Sequence, residues 1–389
     1  MRAYSWTALS TVSEATDVDD PNHEPFKGAG AVERTRGMRR PVADPGIRVQ
    51  GTNSSPHREW TASPHPRIMV CGPPLGGSTA TKVKGAMIQT VSFRNKAVEI
   101  AAHLHLPDDF DEEKKYPALV GIHPAGGVKE QTIGQYAKRL AAHGFVTVVY
   151  DSSYQGESGG EPRLLEDPPT RVEDARCAAD FLTTLPYVDT ERMGVFGICA
   201  GGGYAISVAQ TEHRFKAVAT VSAAPMGEGS RAFLGRLSPV PEQIKTLEAV
   251  AQQRTAEANG AAPVYAPFVP ETLEEIDDNT PDLLREGYDY YRTPRGRHPR
   301  SKGRFLLTSL DKMYAFSAFD QIPELLTQPM LLIAGSKADT KVFSDQAYEL
   351  SSGPKELFVV DGATHIAMYD VPEYMDQAIT KMVKFFAVL

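Results

Sequence analysis

The sequence has few cysteines, no long apolar run and no excess of positive charge. Its three cysteines are odd in number and lack paired spacing, which argues against a disulfide framework or a zinc site and fits a reducing compartment. No stretch reaches the roughly 18 apolar residues of a membrane-spanning helix. The formal net charge of −8 repels polyanions, so nucleic acid is disfavoured as a partner. These absences favour a protein that acts on a small molecule and has no membrane partner. They do not decide between a monomer and a homo-oligomer.

The N-terminal part differs in composition from the rest of the chain. Residues 1–86 are rich in Pro, Gly, Ser, Thr and Arg and show no sustained apolar period, so we predict a disordered extension there. Residues 1–20 also lack a basic segment followed by an apolar one, which disfavours secretion and organelle import. We therefore predict a cytoplasmic protein whose folded domain spans residues 87–389.

From residue 87 onward, short β-branched runs alternate with helical patterns, which is typical of a parallel sheet with crossover helices. The first two predicted strands, 87–93 and 98–106, indicate a hairpin. The later predicted strands lie at 118–123, 145–150, 193–196, 217–221, 330–333 and 357–360. This order predicts an α/β-hydrolase fold, that is, an α/β protein with a mostly parallel, doubly wound sheet.

One connection is too long for a simple crossover. About a hundred residues, roughly 224–328, separate two of the predicted strands, whereas a crossover needs about a dozen. Apolar residues at helical spacing within this segment indicate helices. We therefore predict a helical lid insertion, an element that usually shapes substrate choice.

The strongest local signal is a strand followed by Gly197-Ile198-Cys199-Ala200-Gly201 and then a helix, which matches a nucleophile elbow with cysteine in place of serine. Gly197 and Gly201 suit a sharp turn in which flanking side chains would collide with the neighbouring strand and helix. A thiol at a helix N-terminus is also expected to have a lowered pKa. The pattern thus predicts Cys199 as the nucleophile; Cys71 lies in the extension, and Cys177 lies on a helix typical of the core.

Backbone N–H groups near the elbow can bind an oxyanion. The N–H of Ala200 is one predicted donor, and the second is expected in the loop HPAGG after the strand 118–123. Ala125 and Gly126 are both candidates for it, because the glycines allow the backbone to approach a substrate oxygen closely.

A cysteine nucleophile needs a base and a group that orients the base, and the chain order of this fold is nucleophile, acid, histidine. Asp339 follows the strand 330–333 and His365 follows the strand 357–360, so Cys199, Asp339 and His365 form the predicted triad. His123 is the rival histidine, for which a structural hydrogen bond is expected. Asp361 is the rival acid, but it is closer to a tight turn with Gly362.

Two further residues are candidates for substrate binding. Tyr154 lies in the loop after the strand 145–150, where it could line the rim of a pocket or serve only structure. Arg295 belongs to a basic run in the insertion that could hold a substrate carboxylate or a pantetheine phosphate, or could simply be a solvated loop. No metal or cofactor is implied.

The region from about residue 87 to residue 389 resembles the dienelactone-hydrolase-like α/β-hydrolases. The motifs that carry the resemblance are GICAGGGY, EGYDYYRTPRGRHP, RFLLTSLDKMYAF and LLTQPMLLIAGSKADT. They are similar to a branch with uncharacterised bacterial hydrolases and fungal polyketide transferases or thiohydrolases. The resemblance implies the same triad of Cys199, Asp339 and His365. In dienelactone hydrolases proper a glutamate in the loop after the third strand pairs with the resting thiol, whereas this loop reads HPAGGVKEQ.

Three functions are compatible with these residues. The first is hydrolysis of an ester, thioester or lactone through an acyl-enzyme on Cys199. The second is acyl or polyketide transfer, in which a hydroxyl group replaces water at the same acyl-enzyme. The third is a binding protein that keeps the fold without its chemistry.

Overall fold

The computed structural model describes residues 79–83, 86–233 and 236–389. Its strands are β1 (Thr79–Val83), β2 (Ala86–Asn95), β3 (Val98–Leu106), β4 (Tyr116–Ile122), β5 (Val146–Tyr150), β6 (Val188–Ile198), β7 (Phe215–Val221), β8 (Ala232–Phe233), β9 (Arg236–Leu237), β10 (Tyr265–Pro267), β11 (Arg304–Leu306), β12 (Met330–Gly335) and β13 (Lys355–Val360).

The α-helices are α1 (Thr132–Ala141), α2 (Pro168–Thr183), α3 (Ala200–Ala209), α4 (Met226–Arg231), α5 (Val240–Ala258), α6 (Asp282–Arg292), α7 (Leu310–Ala315), α8 (Ile322–Leu325), α9 (Lys341–Leu350), α10 (Ala367–Asp370) and α11 (Pro372–Phe386). Two short 3₁₀ helices span Leu273–Glu275 and Leu307–Ser309. Within the described residues, no helix combines the length and the apolar character needed to cross a bilayer.

Nine strands form one sheet in the order β1-β2-β3-β5-β4-β6-β7-β12-β13. The pairs from β1 to β3 and the pair of β3 with β5 are antiparallel, and the remaining pairs are parallel. The predicted hairpin and the mostly parallel sheet are thus confirmed. The strands that the sequence placed near residues 118, 145, 193, 217, 330 and 357 are β4, β5, β6, β7, β12 and β13.

Both faces of the sheet are covered, which explains why its central strands are almost continuously apolar. Side chains alternate between the faces: Val120 of β4 joins a core with α2 and α3, while its neighbour Leu119 joins a core with α1 and α11. Helices on both faces make the sheet doubly wound, as predicted.

The sheet begins earlier than the sequence indicated. Strand β1 pairs antiparallel with β2, with Thr79 opposite Thr90 and Val83 opposite Ala86. Its sequence, TATKV, has too little apolar character to stand out as a strand, and backbone hydrogen bonding at a sheet edge does not require such character. The predicted disorder is therefore wrong for 79–83, and the remainder of that prediction lies outside the described residues, apart from Ala86, the first residue of β2.

The regular structure of the long segment between β7 and β12 consists mainly of helices, as predicted, with two small antiparallel pairs, β8 with β9 and β10 with β11. Several contacts fix it to the loop after β4. The Gln131 side-chain amide donates to the Gly296 carbonyl at 2.7 Å, and the Ser301 hydroxyl donates to the Gly126 carbonyl at 2.7 Å. Arg300 also pairs with Glu130 of that loop. The insertion is thus held against the part of the sheet edge that carries Cys199.

Candidate active site

Cys199 lies at the turn between β6 and α3. Its backbone has φ 57° and ψ −123°, a left-handed conformation that strains any residue other than glycine. A Cβ atom at Gly197 would lie 1.9 Å from the Gly201 carbonyl oxygen, and one at Gly201 would lie 2.1 Å from the Ile122 carbonyl oxygen. Only glycine fits at both positions, so the chain can form this sharp turn and project the thiol toward a cavity.

Two backbone N–H groups point at the sulfur of Cys199. They belong to Ala200, at the start of α3, and to Ala125, in the loop after β4. Burial nevertheless raises the pKa of the Cys199 thiol, and this effect outweighs its hydrogen bonds with the Tyr369 hydroxyl and with the backbone N–H groups of Ala200 and Ala125, which lower it. The expectation of a lowered thiol pKa is therefore wrong, because the thiol loses more by desolvation than it gains from the helix N-terminus.

His365 follows β13 and is almost completely buried, with 1% of its surface exposed. Its Nδ1 lies 2.6 Å from the Thr340 hydroxyl, and its Nε2 lies 3.2 Å from the Tyr369 hydroxyl. Burial lowers the pKa of His365 to about 3. The imidazole is therefore neutral at pH 7, which leaves one ring nitrogen free to accept a proton.

Asp339 forms neither a hydrogen bond nor an ion pair with His365 in this structure. Its Oδ2 accepts a hydrogen bond from the backbone N–H of Leu283 at 3.0 Å, which caps the first turn of α6 in the insertion. No hydrogen bond between the described residues joins it to the imidazole, and the neighbouring Thr340 occupies that position instead. The rival acid Asp361 interacts with the hydroxyl of Ser336 at 3.1 Å. The group that contacts His365 Nδ1 is thus the hydroxyl of Thr340, one residue after the predicted carboxylate of Asp339.

Sequence reasoning missed two tyrosines. The Tyr369 hydroxyl hydrogen-bonds to the Cys199 thiol and to the Tyr291 hydroxyl, in addition to its contact with His365. Tyr369 lies in α10, four residues after His365, and this closeness in the sequence was the available signal. Tyr291 comes from α6, and no local pattern connects it to the site. Burial raises the pKa of both hydroxyls well above 10, so both are neutral.

The loop after β4 is built around His123. Its Nδ1 lies 2.6 Å from the Pro124 carbonyl, and its Nε2 accepts from the backbone N–H of Ser152 at 3.1 Å. This is the structural role expected for that histidine. Gly126, the alternative oxyanion donor, has φ +65°, and a Cβ there would lie 2.9 Å from the Phe268 ring. Of the two candidates, Ala125 is the one whose N–H reaches the thiol.

Arg295 is engaged within the protein. Its guanidinium donates two hydrogen bonds to the Asp370 carboxylate, at 2.9 and 2.6 Å, and one to Asp289 at 3.0 Å. Tyr154 has φ +71° and packs against Gly160, where a Cβ would lie 2.6 Å from its ring. Neither residue belongs to the described residues that line the cavity beside Cys199. The structure therefore does not bring these two predicted substrate-binding residues to the site.

The cavity beside Cys199 is largely apolar. Its walls come from the loop after β4, the loops after β7, β12 and β13, and the insertion. Hydroxyl groups of Ser230, Tyr291, Thr340 and Tyr369 supply its polar side chains besides the thiol, and none of its described lining residues carries a formal charge. The larger apolar contributors are Met226, Phe268, Val269, Leu283, Phe343 and Ile366.

The chain is similar to several known proteins. The uncharacterised protein YcjY of Escherichia coli K12 is 41% identical over 304 residues, which cover 77% of this chain and 98% of that protein. The crystal structure of the hypothetical protein PA2218 from Pseudomonas aeruginosa matches with a TM-score of 0.73 at 35% identity, covering 78% of this chain and 94% of that chain. A thiohydrolase of Eupenicillium brefeldianum is 26% identical over 270 residues, covering 68% of this chain and 84% of that protein, and fungal polyketide transferases are also similar.

Residues 100–268 match the dienelactone hydrolase family. This segment contains the elbow and the loop after β4, and the similarity to YcjY extends far beyond it. The structural match confirms the predicted α/β-hydrolase fold. The elbow, the sheet order and these similarities together establish that the chain belongs to the dienelactone hydrolase family of α/β-hydrolases.

Proposed function

We propose that the protein hydrolyses esters or thioesters of uncharged, apolar acyl groups through an acyl-enzyme on Cys199. The observation that carries this proposal is the Cys199 thiol, held on a strained turn at an apolar cavity with the N–H groups of Ala200 and Ala125 directed at its sulfur. The name thiohydrolase for a fungal relative supports a thioester as one substrate class.

The reaction follows from these positions. The sulfur attacks the acyl carbon while its proton moves to His365, and the carbonyl oxygen becomes an oxyanion bound by the N–H groups of Ala200 and Ala125. The carbon–oxygen or carbon–sulfur bond to the leaving group then breaks, and that group takes the proton. In the second half, His365 removes a proton from water, the hydroxide adds to the acyl carbon, and the thiol is regenerated as the acid leaves.

The lining of the cavity defines the acyl group. A carboxylate or phosphate placed among Met226, Phe268 and Leu283 would be buried without a partner, which costs several kcal/mol. Arg295 does not line the cavity and is already paired with Asp370 and Asp289, so it does not supply a counter-charge there. An uncharged aliphatic or aromatic acyl group fits this environment without such a cost.

Acyl transfer is the second candidate, and the apolar cavity is the observation that favours it. A site that lowers the local activity of water lets an alcohol compete for the acyl-enzyme. Two fungal relatives are named polyketide transferases, and these names support transfer as the alternative. Adding butanol at increasing concentration and measuring the ratio of butyl ester to free acid separates transfer from hydrolysis, because a strict hydrolase forms acid alone.

The nucleophile can be tested by intact-protein mass spectrometry after mixing with p-nitrophenyl esters. We expect an acyl adduct on the wild type and on Cys177→Ala, a control at the other described cysteine, which is buried in the core. We expect no adduct and no burst of p-nitrophenol with Cys199→Ala. An adduct that persists in Cys199→Ala would refute the assignment.

The substrate class can be tested with two acyl groups of similar length. Hexanoyl and adipoyl p-nitrophenyl esters differ only at the end of the acyl chain, which is a methyl group in the hexanoyl ester and a carboxylate in the adipoyl ester. We expect kcat/KM to be at least about 100-fold higher for the hexanoyl ester, because burial of an unpaired charge costs about 3 kcal/mol or more. Equal values for the two esters would contradict an apolar acyl site.

A further inference from the structure

We propose that Tyr369 relays the proton from the Cys199 thiol to Nε2 of His365, with Tyr291 positioning the hydroxyl that does so. This inference rests on the proposed function, since it concerns the acylation step on Cys199. It assigns a role in the reaction to two residues outside the predicted triad and explains how a proton passes from the thiol to the imidazole.

The geometry places one hydroxyl between the two reacting groups. The Tyr369 oxygen lies 3.2 Å from His365 Nε2 and also hydrogen-bonds to the Cys199 thiol. In the described part of the chain, no direct hydrogen bond joins Cys199 to His365. Tyr369 and His365 are each only 1% exposed, so the imidazole end of the path is shielded from bulk water, whereas Cys199 is half-buried at the cavity. The hydroxyl is therefore the shortest hydrogen-bonded connection from sulfur to imidazole.

The transfer balances without a charged tyrosine. As sulfur bonds to the acyl carbon, the S–H bond breaks and its proton joins the Tyr369 oxygen, while the original phenolic proton leaves that oxygen for His365 Nε2. Tyr369 ends neutral, and His365 becomes an imidazolium whose Nδ1–H donates to the Thr340 hydroxyl, 2.6 Å away. Burial strongly raises the pKa of Tyr369 and disfavours a tyrosinate, so the two proton transfers must be concerted.

Tyr291 fixes the direction of the relay hydroxyl. Its own hydroxyl hydrogen-bonds to that of Tyr369, and the two rings stand nearly perpendicular, with an interplanar angle of 85° and centroids 6.4 Å apart. Tyr291 belongs to α6 of the insertion and lines the cavity. It does not hydrogen-bond to His365, which makes it a positioning residue. The orientation of the relay is thus set by the same insertion that forms the acyl site.

The test measures acylation in the burst phase, in H₂O, in D₂O and in mixtures of the two. The S–H bond of the resting thiol has a low deuterium fractionation factor, so the rates are first corrected for that reactant contribution. For the wild type, two protons in transit then predict a corrected acylation rate that depends on the deuterium fraction along a curve, whereas one proton predicts a straight line. For Tyr369→Phe we expect acylation to slow by about 100-fold or more, the usual range for a proton-transfer group. We expect KM to stay within about threefold and the dependence on deuterium to become linear. For Tyr291→Phe we expect a smaller loss with the curve retained.

The matched control is Tyr150→Phe, which removes another fully buried tyrosine hydroxyl, one without a hydrogen-bond partner in the described residues, and should leave acylation unchanged. A straight line for the wild type, or Tyr369→Phe acylating within threefold of the wild type, would overturn the relay while leaving the acyl-enzyme intact. The wild-type deuterium series needs no variant, so it decides the question even if Tyr369→Phe fails to fold. If the wild type forms no acyl-enzyme with any ester, the proposed function fails first and the relay fails with it.

Discussion

The sequence predicts that Asp339 orients His365, whereas in the structure the Thr340 hydroxyl lies beside the imidazole. These two arrangements predict different effects of mutating Asp339. If Asp339 were the triad acid, Asp339→Asn would leave the imidazole wrongly oriented and lower kcat by about 10⁴-fold, the scale known for such a change in serine proteases. In the structure, its carboxylate instead accepts from the Leu283 N–H at the start of α6. We therefore expect Asp339→Asn to retain acylation within about threefold.

The stability effect follows from the same contact. An asparagine side chain can still accept from the Leu283 N–H, since Asn and Asp are similar capping residues. The variant loses mainly the attraction between the negative charge and the helix N-terminus, about 0.3–1 kcal/mol. Urea unfolding should detect a change of this size and no more.

Thr340→Val is the complementary change. Valine keeps the shape of threonine but removes the hydroxyl that lies 2.6 Å from His365 Nδ1, so a buried ring nitrogen loses its partner. An unsatisfied buried donor costs about 1–3 kcal/mol. If this cost falls on the imidazolium formed during acylation, the rate should drop by about 10- to 100-fold, because each 1.4 kcal/mol corresponds to a factor of ten.

The assay for both variants is the burst of p-nitrophenol with a hexanoyl ester, combined with the mass of the acyl-enzyme. Thr340→Ser serves as the control, because it keeps the hydroxyl and should acylate at nearly the wild-type rate. The reasoning is refuted if Asp339→Asn loses about 10⁴-fold while Thr340→Val remains close to the wild type. That result would mean that Asp339 reaches His365 during the reaction.

Three further predictions concern the cavity, the insertion and the response to acid. Gly229 lines the cavity, and a Cβ there would meet nothing within 4 Å, so Gly229→Leu should fold normally. The variant should reduce kcat/KM for octanoyl esters at least about tenfold relative to acetyl esters. An unchanged chain-length preference would contradict the assigned acyl site. Arg295→Gln should lower the free energy of unfolding by about 1–2 kcal/mol through loss of the bonds to Asp370, with KM for neutral esters within twofold; a large rise in KM would instead place Arg295 on the substrate. Burial lowers the pKa of four histidines, His103 among them. The three that are at most 2% exposed stay neutral in the folded chain but take up protons on unfolding below their ordinary pKa of 6.5. They are His105, His123 and His365. Stability is thus full above pH 6.5 and falls toward pH 3, by about 1.4 kcal/mol per pH unit for each histidine; His105→Leu should reduce this slope in urea unfolding, and an unchanged slope would show that His105 is not involved.

Much of the fold was predictable because its signals are local. Continuous apolar runs identified β4 and β7 as strands buried on both faces, and the spacing of Gly197, Cys199 and Gly201 indicated the elbow. The same order of elements placed His365 in the loop after β13. In contrast, β1 escaped detection because an edge strand is held by backbone pairing rather than by apolar side chains.

The sequence by itself determined the sheet, the turn that carries Cys199 and the loop that carries His365, because periodicity and glycine geometry act over a few neighbouring residues. Only the tertiary structure decided that Thr340 rather than Asp339 contacts His365, because two adjacent side chains point in directions that depend on the surrounding packing. It also brought Tyr291 to Tyr369 from a distant part of the chain and covered the thiol enough to raise its pKa. Hydrogen-bond partners and desolvation arise from contacts between remote segments, which no local pattern encodes.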